Sequence, residues 1–343
     1  MSKTRIFQII KDSFQKKIEK RIEKESVEVK KLMGLSIETD ISDVEIFVHK
    51  ESRIEVILET YEEGPELYVN TQDEHLMIEA KLEKSIIFTG FLNSITSCTL
   101  KIVLPKDIAS DIQIITKSGD IDVDGLILSK LNIKSGSGDL HISNITSNHL
   151  QSESSSGDQY IHFIHAENIV LKNASGDING KNLYGNIHSF SASGDIELFE
   201  CYSDMVEISS SSGDIEINQC QTNELKTKSS SGDIRGEKIQ TVNGEASNSS
   251  GDIQLLSFIG NLSAHTGAGD VMVEMIHESN IFINSGSGDI NAYLCYENID
   301  AKLDIQTSLG VIETNLDKHF GQMDGKYTIQ LKSGTGDISL IQK

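Results

Sequence analysis

A Gly-Asp dipeptide that returns every 18 or 19 residues constrains the fold of this chain more than any other feature. A fixed period of this length is typical of architectures in which each repeat is one supersecondary unit that packs on its neighbours. We assign the Gly-Asp aspartates to turns and to ladders between repeats. They are Asp120, Asp139, Asp158, Asp177, Asp195, Asp214, Asp233, Asp252, Asp270, Asp289 and Asp337.

Apolar residues keep a constant distance from each aspartate. One and three residues after it the side chains are aliphatic in most repeats, as in Ile215 and Ile217, and apolar residues recur about six and eleven residues after it. Such alternation predicts two short strands per repeat, each with one apolar face. A unit of this size is too short for a propeller blade but suits one coil of a solenoid. The expected fold is all-β, a single-chain β-solenoid of about 19-residue coils with an N-terminal amphipathic α-helix.

The turn residues have a local explanation. Glycine can adopt positive φ where the chain reverses, and an aspartate side chain can accept hydrogen bonds from backbone N–H groups of the turn. Hydroxyl residues lie one and three places before the glycine, as in Ser210 and Ser212. Stacked coils would align these hydroxyls, so we expect ladders of hydroxyl groups bonded to one another.

The regular repeat covers only part of the chain. We divide it into residues 1–33 as a basic amphipathic helix, 34–110 as irregular first coils, and 111–343 as the regular solenoid. Ile41-Ser42-Asp43-Val44 resembles an early diverged copy of the turn, and Thr307-Ser308-Leu309-Gly310-Val311 a degenerate late one. The segment 85–92 is densely apolar, and we assign it to the core of the first coils rather than to an exposed contact patch.

Residues 3–33 show helical periodicity. Apolar side chains recur every four residues among lysines and arginines, which indicates an amphipathic helix. Three roles stay open for it: a cap on the first coil, a contact with an anionic membrane surface, or pairing with a partner helix. The residues expected to make a membrane or partner contact are Ile6, Ile10, Phe14, Ile18, Lys16, Lys17, Lys20 and Arg21.

The charge is strongly negative and unevenly distributed. The formal net charge is −22. Residues 1–33 contain ten Lys or Arg and five Asp or Glu, a net of +5, so the remaining residues sum to −27. Because phosphate binding requires basic surface, we expect no nucleic-acid partner. The sequence shows neither a run of about 18–20 apolar residues nor a secretory signal pattern. We therefore expect a cytoplasmic protein, peripheral at the inner face of the membrane if the helix binds there.

Three segments carry a family resemblance. They are 116–123 (Thr-Lys-Ser-Gly-Asp-Ile-Asp-Val), 134–140 (Lys-Ser-Gly-Ser-Gly-Asp-Leu) and 210–217 (Ser-Ser-Ser-Gly-Asp-Ile-Glu-Ile). Together with Leu100–Pro105, they resemble the bacterial putative-adhesin β-strand-repeat family of unknown function. The resemblance covers about residues 35–343. It implies a β-solenoid, and some members of the family are linked to cell-envelope stress, but it supplies no catalytic motif.

No pattern of residues favours catalysis or a cofactor. Calcium-binding β-rolls carry an Asp-containing unit of about nine residues, whereas this chain offers one aspartate per 19, so we expect no metal. Cys201, Cys220 and Cys295 share the apolar register six residues after an aspartate and are assigned to inert packing, although the first two are close enough in register for a disulfide. We expect no enzyme and no cofactor.

Two functional classes remain. The first is a non-catalytic structural or interaction scaffold that resembles the adhesins, with a role at the membrane in envelope stress implied by the resemblance. The second is a filament or ordered oligomer, formed when the C-terminal coil, which ends at Ile341-Gln342-Lys343, stacks on another chain. The expected partner is accordingly another protein or a second copy of the chain.

Overall fold

The computed structural model describes residues 19–28, 31–82, 97–316 and 325–343, and the regular structure in these ranges consists of β-strands. Each coil contains a first-side strand after the aspartate, a corner, a second-side strand, and the Ser-Gly-Asp turn. In five coils the two strands continue through the corner as one element. The strands of the regular coils are β8 (Ala109–Thr116), β9 (Ile121–Asp124), β10 (Lys130–Ser135), β11 (Leu140–Ser154), β12 (Gln159–Asn173), β13 (Ile178–Ser191), β14 (Ile196–Tyr202), β15 (Met205–Ser210), β16 (Ile215–Gln221), β17 (Glu224–Ser229), β18 (Ile234–Asn248), β19 (Ile253–Thr266), β20 (Val271–Met275), β21 (Ile281–Ser285) and β22 (Ile290–Leu294).

Neighbouring coils pair in parallel and in register. Leu140 lies beside Gln159, which lies beside Ile178, so equivalent positions form columns along the solenoid. The side chains one and three residues after each aspartate point inward from the first side, as do those six residues after it in the coils from Asp120 to Asp252, and those of the second side face them. The core is a continuous stack of aliphatic columns, in which each buried Ile or Leu contributes about 1.5–3 kcal/mol. The predicted β-solenoid is therefore confirmed.

The N-terminal end departs from the parallel pattern. Its strands are β1 (Lys20–Glu28), β2 (Leu32–Thr39), β3 (Asp43–His49), β4 (Arg53–Tyr61), β5 (Glu66–Gln72), β6 (His75–Lys81) and β7 (Thr99–Pro105). The coil formed by β2 and β3 lies between the β6–β7 layer and the coil of β8 and β9. Beyond it, β4 pairs antiparallel with β7, β1 with β4, and β5 with β6. Antiparallel strands thus close this end.

The predicted N-terminal helix is wrong for every part of it that the structure describes. Residues 20–28 form β1, which pairs with β4 along its whole length, and residues 32 and 33 begin β2. Ile22 continues the four-residue spacing of the apolar positions that predicted the helix, yet in β1 it is 57% exposed. The open edge of β4 explains the difference, because pairing satisfies its backbone N–H and C=O groups and outweighs local helix preference. Lys20 and Arg21 lie in this strand, whereas Ile6, Ile10, Phe14, Lys16, Lys17 and Ile18 lie outside the described residues.

The diverged copy at residues 41–44 does occupy a solenoid turn. Asp43 starts β3, and Val44 pairs with Ile121 of the first Gly-Asp repeat. The backbone N–H of Asp120 donates to the Asp43 Oδ1 (3.0 Å). The regular stack therefore begins some 77 residues earlier in the sequence than the first Gly-Asp dipeptide.

At the C-terminal end, the order of the coils in the stack differs from their order in the sequence. Its strands are β23 (Ala301–Thr307), β24 (Ile312–Thr314), β25 (Tyr327–Ser333) and β26 (Ile338–Gln342). The last coil in sequence, β25 and β26, pairs with β21 and β22 on one side and with β23 and β24 on the other. The expectation that the C-terminal coil is the bare end is therefore wrong, because the degenerate copy at 301–314 covers it. Leu309 is 81% exposed on that outer coil.

The described ranges contain no helix long and apolar enough to cross a membrane. The segment 85–92, assigned to the core from its composition, lies outside the described residues.

Candidate binding groove at the corner of the coils

The Gly-Asp aspartates form one column along the solenoid. The Oδ1 of each aspartate accepts a hydrogen bond from the backbone N–H of the next aspartate in the stack, as from Asp214 to Asp195 (2.7 Å). This chain of bonds runs from Asp43 to Asp337 and ends on the N–H of Val311 (2.7 Å). The sequence predicts a donor in the same turn, but the carboxylate instead links consecutive coils.

The glycines before the aspartates are required because the turns of neighbouring coils stack closely, and not because of the positive φ that the sequence predicts. None of the Gly-Asp glycines lies in the left-handed region; the positive-φ glycines of the described chain are Gly125, Gly185 and Gly260. A Cβ built on Gly138 would overlap the carbonyl oxygen of Gly119, and the same overlap recurs from coil to coil. The turns therefore stack so closely that no side chain fits between them.

The buried hydroxyls next to these turns do not bond mainly to one another. The Oγ of Ser285 accepts from the Gly288 N–H (2.8 Å) and donates to the Gly269 carbonyl of the neighbouring coil (3.0 Å). Among the described residues, Thr39 and Thr116 form a direct hydroxyl pair (3.1 Å). The predicted hydroxyl ladder is thus a ladder of hydroxyl-to-backbone bonds, which satisfies buried backbone groups of the turn.

The aspartate column carries little counter-charge. Arg235 bridges Asp214 (2.7 Å) and Asp233 (2.6 Å). Burial alone would raise the pKa of the Asp214 carboxyl, but the Arg235 guanidinium and the Asp233 N–H outweigh burial and leave that pKa below its ordinary value. Within the described ranges, no group of three or more His, Cys, Asp or Glu side chains has a geometry that could hold a metal ion.

The corner between the two strands has its own regular conformation. Five residues after the aspartate, seven coils place a non-glycine residue at φ between 53° and 59°. These residues are Asn144, Phe163, Asn182, Glu200, Gln219, Lys238 and Ser257. The left-handed conformation turns the strand, at a cost of about 1–2 kcal/mol for a side chain other than Gly, Asn or Asp.

The repeats from Asp177 to Asp195 and from Asp252 to Asp270 have 18 residues instead of 19, and the missing residue is at this corner. Gly185 and Gly260 take φ of 131° and 129°, and a Cβ on either would overlap the carbonyl oxygen of Ala166 or Thr241. The pairing register shifts by one residue at the same places. Between these two tight corners lie three coils with full-length corners, whose aspartates are Asp195, Asp214 and Asp233.

A column of stacked rings leads to this corner. His165 stacks on Tyr184 with centroids 4.4 Å apart, and Tyr184 stacks on Tyr202 at 5.1 Å, with nearly parallel planes. The next positions in the column are Gln221 and Gln240, so the stack of rings ends at Tyr202. The exposed fraction of Tyr202 is 43%.

An open groove of about 830 Å³ follows the corner along the solenoid. We call it the corner groove. One rim is formed by Tyr202, Gln221, Gln240 and Ile259, the floor by Gly185, Ser203, Thr222 and Thr241, and the other rim by Glu167, Asn186, Asp204, Asn223 and Val242. These residues come from six successive coils, and five steps of about 4.8 Å give a length of about 24 Å.

The floor of the corner groove is fixed by bonds to the backbone. Thr222 Oγ1 donates to the Glu224 carbonyl (3.1 Å), and Ser203 Oγ both donates to and accepts from Met205 backbone groups. Thr222 and Thr241 are buried, and the Thr241 Oγ1 also donates to backbone carbonyls, those of Asn223 (3.1 Å) and Asn243 (3.0 Å). A rigid floor costs no conformational entropy when a ligand binds.

The rims carry free polar groups. The exposed side-chain amides of Gln221 and Gln240 make no hydrogen bond within the described part of the chain. Asp204 accepts from the Asn223 amide (2.9 Å), which orients that side chain. The described lining contains two carboxylates, Glu167 and Asp204, and no cationic side chain. The groove can therefore donate and accept hydrogen bonds with an uncharged polar ligand.

The predicted site residues and the corner groove do not coincide. The aspartate column lies at the opposite bend of the coil, and Lys20 and Arg21 lie in β1 at the N-terminal end. Arg21 donates to the Pro65 carbonyl (2.9 Å) and pairs with Glu23. A sequence signal for the groove did exist: the position eight residues after the aspartate is small in seven successive repeats, at Ser147, Ala166, Gly185, Ser203, Thr222, Thr241 and Gly260.

The cysteines are free thiols. Cys201 and Cys220 pair in register and are buried, while Cys295 is half-buried. Burial raises the pKa of the Cys220 thiol to about 12, and burial together with the neighbouring Cys220 raises the pKa of Cys201 well above its ordinary value. Neutral thiols in an aliphatic column behave as small apolar side chains.

Comparisons with solved structures find proteins of low identity. One is a putative cell adhesion protein from Clostridium sporogenes, at 12% identity, covering 95% of this chain and 100% of that chain with a TM-score of 0.24. Two come from Parabacteroides distasonis: a putative lipid binding protein (16% identity, 79% and 96% covered, TM-score 0.44) and a putative adhesin (15%, 79% and 97%, 0.37). At these values their names say nothing about the role of this chain. No curated protein matches it.

A family model matches almost the whole chain in two overlapping parts, residues 33–200 and 181–341. The two matches meet inside the regular coils, as expected when one repeat pattern runs through both. The match agrees with the resemblance to the putative-adhesin β-strand-repeat family, while the link to envelope stress stays a prediction. The chain belongs to the Toastrack DUF4097 family.

Proposed function

We propose that this protein is a non-catalytic, adhesin-like binding scaffold and that the corner groove is its ligand site. The observation that carries the proposal is the pair of unpartnered amides, Gln221 and Gln240, aligned in register above a small-residue floor. Their backbones are held in register on adjacent coils, so a ligand in this concave site meets two free hydrogen-bonding groups at a fixed repeat distance.

The architecture supports this role. Core columns and turn ladders hold each coil, and they use positions other than the rims of the groove. Rim side chains can therefore vary without loss of the fold, as in other solenoids that present extended binding surfaces. The absence of a catalytic motif from the sequence favours binding over turnover.

Other roles stay predictions. A cytoplasmic location, action at the membrane and a part in envelope stress rest on sequence composition and family resemblance alone. End-to-end assembly through the C-terminal side of the stack would use the outer coil at 301–314, and light scattering on the full chain measures whether assembly occurs.

A ligand panel tests the proposed function. The full chain and a Gln221→Arg/Gln240→Arg variant are applied to immobilised glycans, peptides and lipids. Both positions are exposed, so the melting temperature should not change. We expect at least one ligand class to bind the native chain and to be lost from the variant, with the ligand recovered chemically unchanged.

The control is Gln113→Arg, an exposed glutamine of β8 outside the groove. It should retain native binding. Three results would each refute the corner groove as the ligand site. They are an equal loss of binding in the control, unchanged binding in the Gln221→Arg/Gln240→Arg variant, and no binding to any of the three ligand classes. A chemically altered ligand would refute the non-catalytic role.

A further inference from the structure

The lining of the corner groove specifies a chemical class of ligand. Anionic polymers are disfavoured because the described lining contains no cationic side chain and the protein carries a net charge of −22. Apolar ligands are disfavoured because amides and hydroxyls line the central coils. An uncharged ligand rich in hydrogen-bonding groups matches this surface.

Apolar contacts lie at two places along the groove. Tyr202, in the third of the six coils, ends the ring stack, and Val242 (56% exposed) and Ile259 lie in the fifth and sixth coils. A pyranose ring has a rim of hydroxyl groups and apolar C–H faces, so it uses amides and aromatic or aliphatic surfaces together. Side-chain amides bond hydroxyls well because each offers two N–H donors and a carbonyl acceptor.

The groove also has the period of an extended polymer. Gln221 and Gln240 come from adjacent coils, about 4.8 Å apart along the axis. An extended glycan advances by a similar distance with each sugar unit, so neighbouring sugars meet equivalent amides. A length of about 24 Å accommodates several units.

We infer that the corner groove binds an uncharged, extended glycan along the axis of the solenoid. The inference rests on the proposed function. Glu167 and Asp204 act as acceptors for sugar hydroxyl groups, and Asn223, held by Asp204, presents a fixed amide. A basic peptide is the competing ligand class, because the same two carboxylates would attract it.

Calorimetry with the full chain distinguishes the two. The probes are cellohexaose and chitohexaose as uncharged glycans and hexalysine as a basic peptide. We expect both glycans to bind, with an affinity nearly constant between about 0.05 and 0.5 M salt because no ion pair is involved. Tyr202→Ala and Gln221→Ala/Gln240→Ala should each weaken binding about tenfold, which corresponds to about 1.4 kcal/mol.

Matched variants control for surface effects. Phe282→Ala removes an aromatic side chain with the same exposed fraction as Tyr202, 43%, on the second side of the coil, and Gln113→Ala removes a distant glutamine. Both should bind glycans as the native chain does. Circular dichroism and melting temperature confirm that each variant is folded.

The outcomes separate this inference from the proposed function. One outcome is that hexalysine binds, that its affinity falls with salt and with the Glu167→Gln/Asp204→Asn substitutions, and that neither glycan binds. The glycan inference is then wrong, and the groove is still the ligand site. If glycans bind but the groove variants match the native chain, both claims are wrong. If none of the probes binds, the glycan inference fails, and the wider panel decides the proposed function.

Discussion

Gln159 occupies a position that is aliphatic in the neighbouring coils. It lies between Leu140 and Ile178 in a fully buried column, its Nε2 donates to the Lys172 carbonyl, and its Oε1 has no partner. An unsatisfied buried acceptor costs about 1–3 kcal/mol, part of which the single hydrogen bond offsets. The column tolerates this residue because each coil is held by many others.

We therefore expect Gln159→Leu to stabilise the protein by on the order of 1 kcal/mol, since it removes the unpaired oxygen and restores aliphatic contact. Chemical denaturation measures the change. Gln113→Leu, at an exposed position, serves as the control and should leave stability nearly unchanged. A less stable Gln159→Leu variant would mean that the bond to Lys172 outweighs the unpaired oxygen.

At the scale of the element, the left-handed corner gives each coil its bend. Glu200 has φ of 59°, and its side chain has no special compatibility with that region, whereas Asn144 at φ of 55° belongs to a type that tolerates it. The corner conformation is imposed by the pairing of neighbouring coils on both sides rather than by the residue itself.

Glu200→Gly should raise stability by up to about 1 kcal/mol, because relief of strain exceeds the added freedom of the unfolded chain. Asn144→Gly should give a smaller gain in stability or none, because the left-handed conformation costs asparagine less free energy than glutamate. The melting temperatures of the two variants test the ranking. Destabilisation by Glu200→Gly would show that this corner is not strained.

For the whole molecule, the interlocked ends decide how the stack terminates. Asp289 and Asp337 are 48 residues apart in sequence but adjacent in the column. Deleting residues 297–325 removes 29 of these 48 residues and leaves a regular interval of 19. Ile329 then keeps its distance from Asp337 and its position beside Ile281.

We expect this deletion to fold with β25 and β26 in their native place. In contrast, a chain ending at residue 316 should lose order in 301–314, because in the described chain β23 and β24 pair only with β25 and β26. Limited proteolysis with mass spectrometry should find cuts within 301–316 in the truncated protein. Protection of that segment after truncation would contradict the observed coil order.

The sequence by itself determined the solenoid, the coil length, the inward-facing columns and the place of the aspartates, because alternation and turn chemistry act within one repeat and recur in each. Residues 41–44 and 307–311 were recognisable as copies for the same reason. The reason that the turns need glycine was not recognisable from the sequence, because it arises from the neighbouring coil. There the Gly119 carbonyl excludes a side chain on Gly138.

Only the tertiary structure decided three features. Residues 20–28 became a strand because the open edge of β4 required backbone partners, which local helical periodicity cannot reveal. The order of the end coils depends on which edges meet, and sequence order does not encode it. The corner groove combines side chains from six coils around two tight glycine corners, so it exists only once the coils are stacked in register.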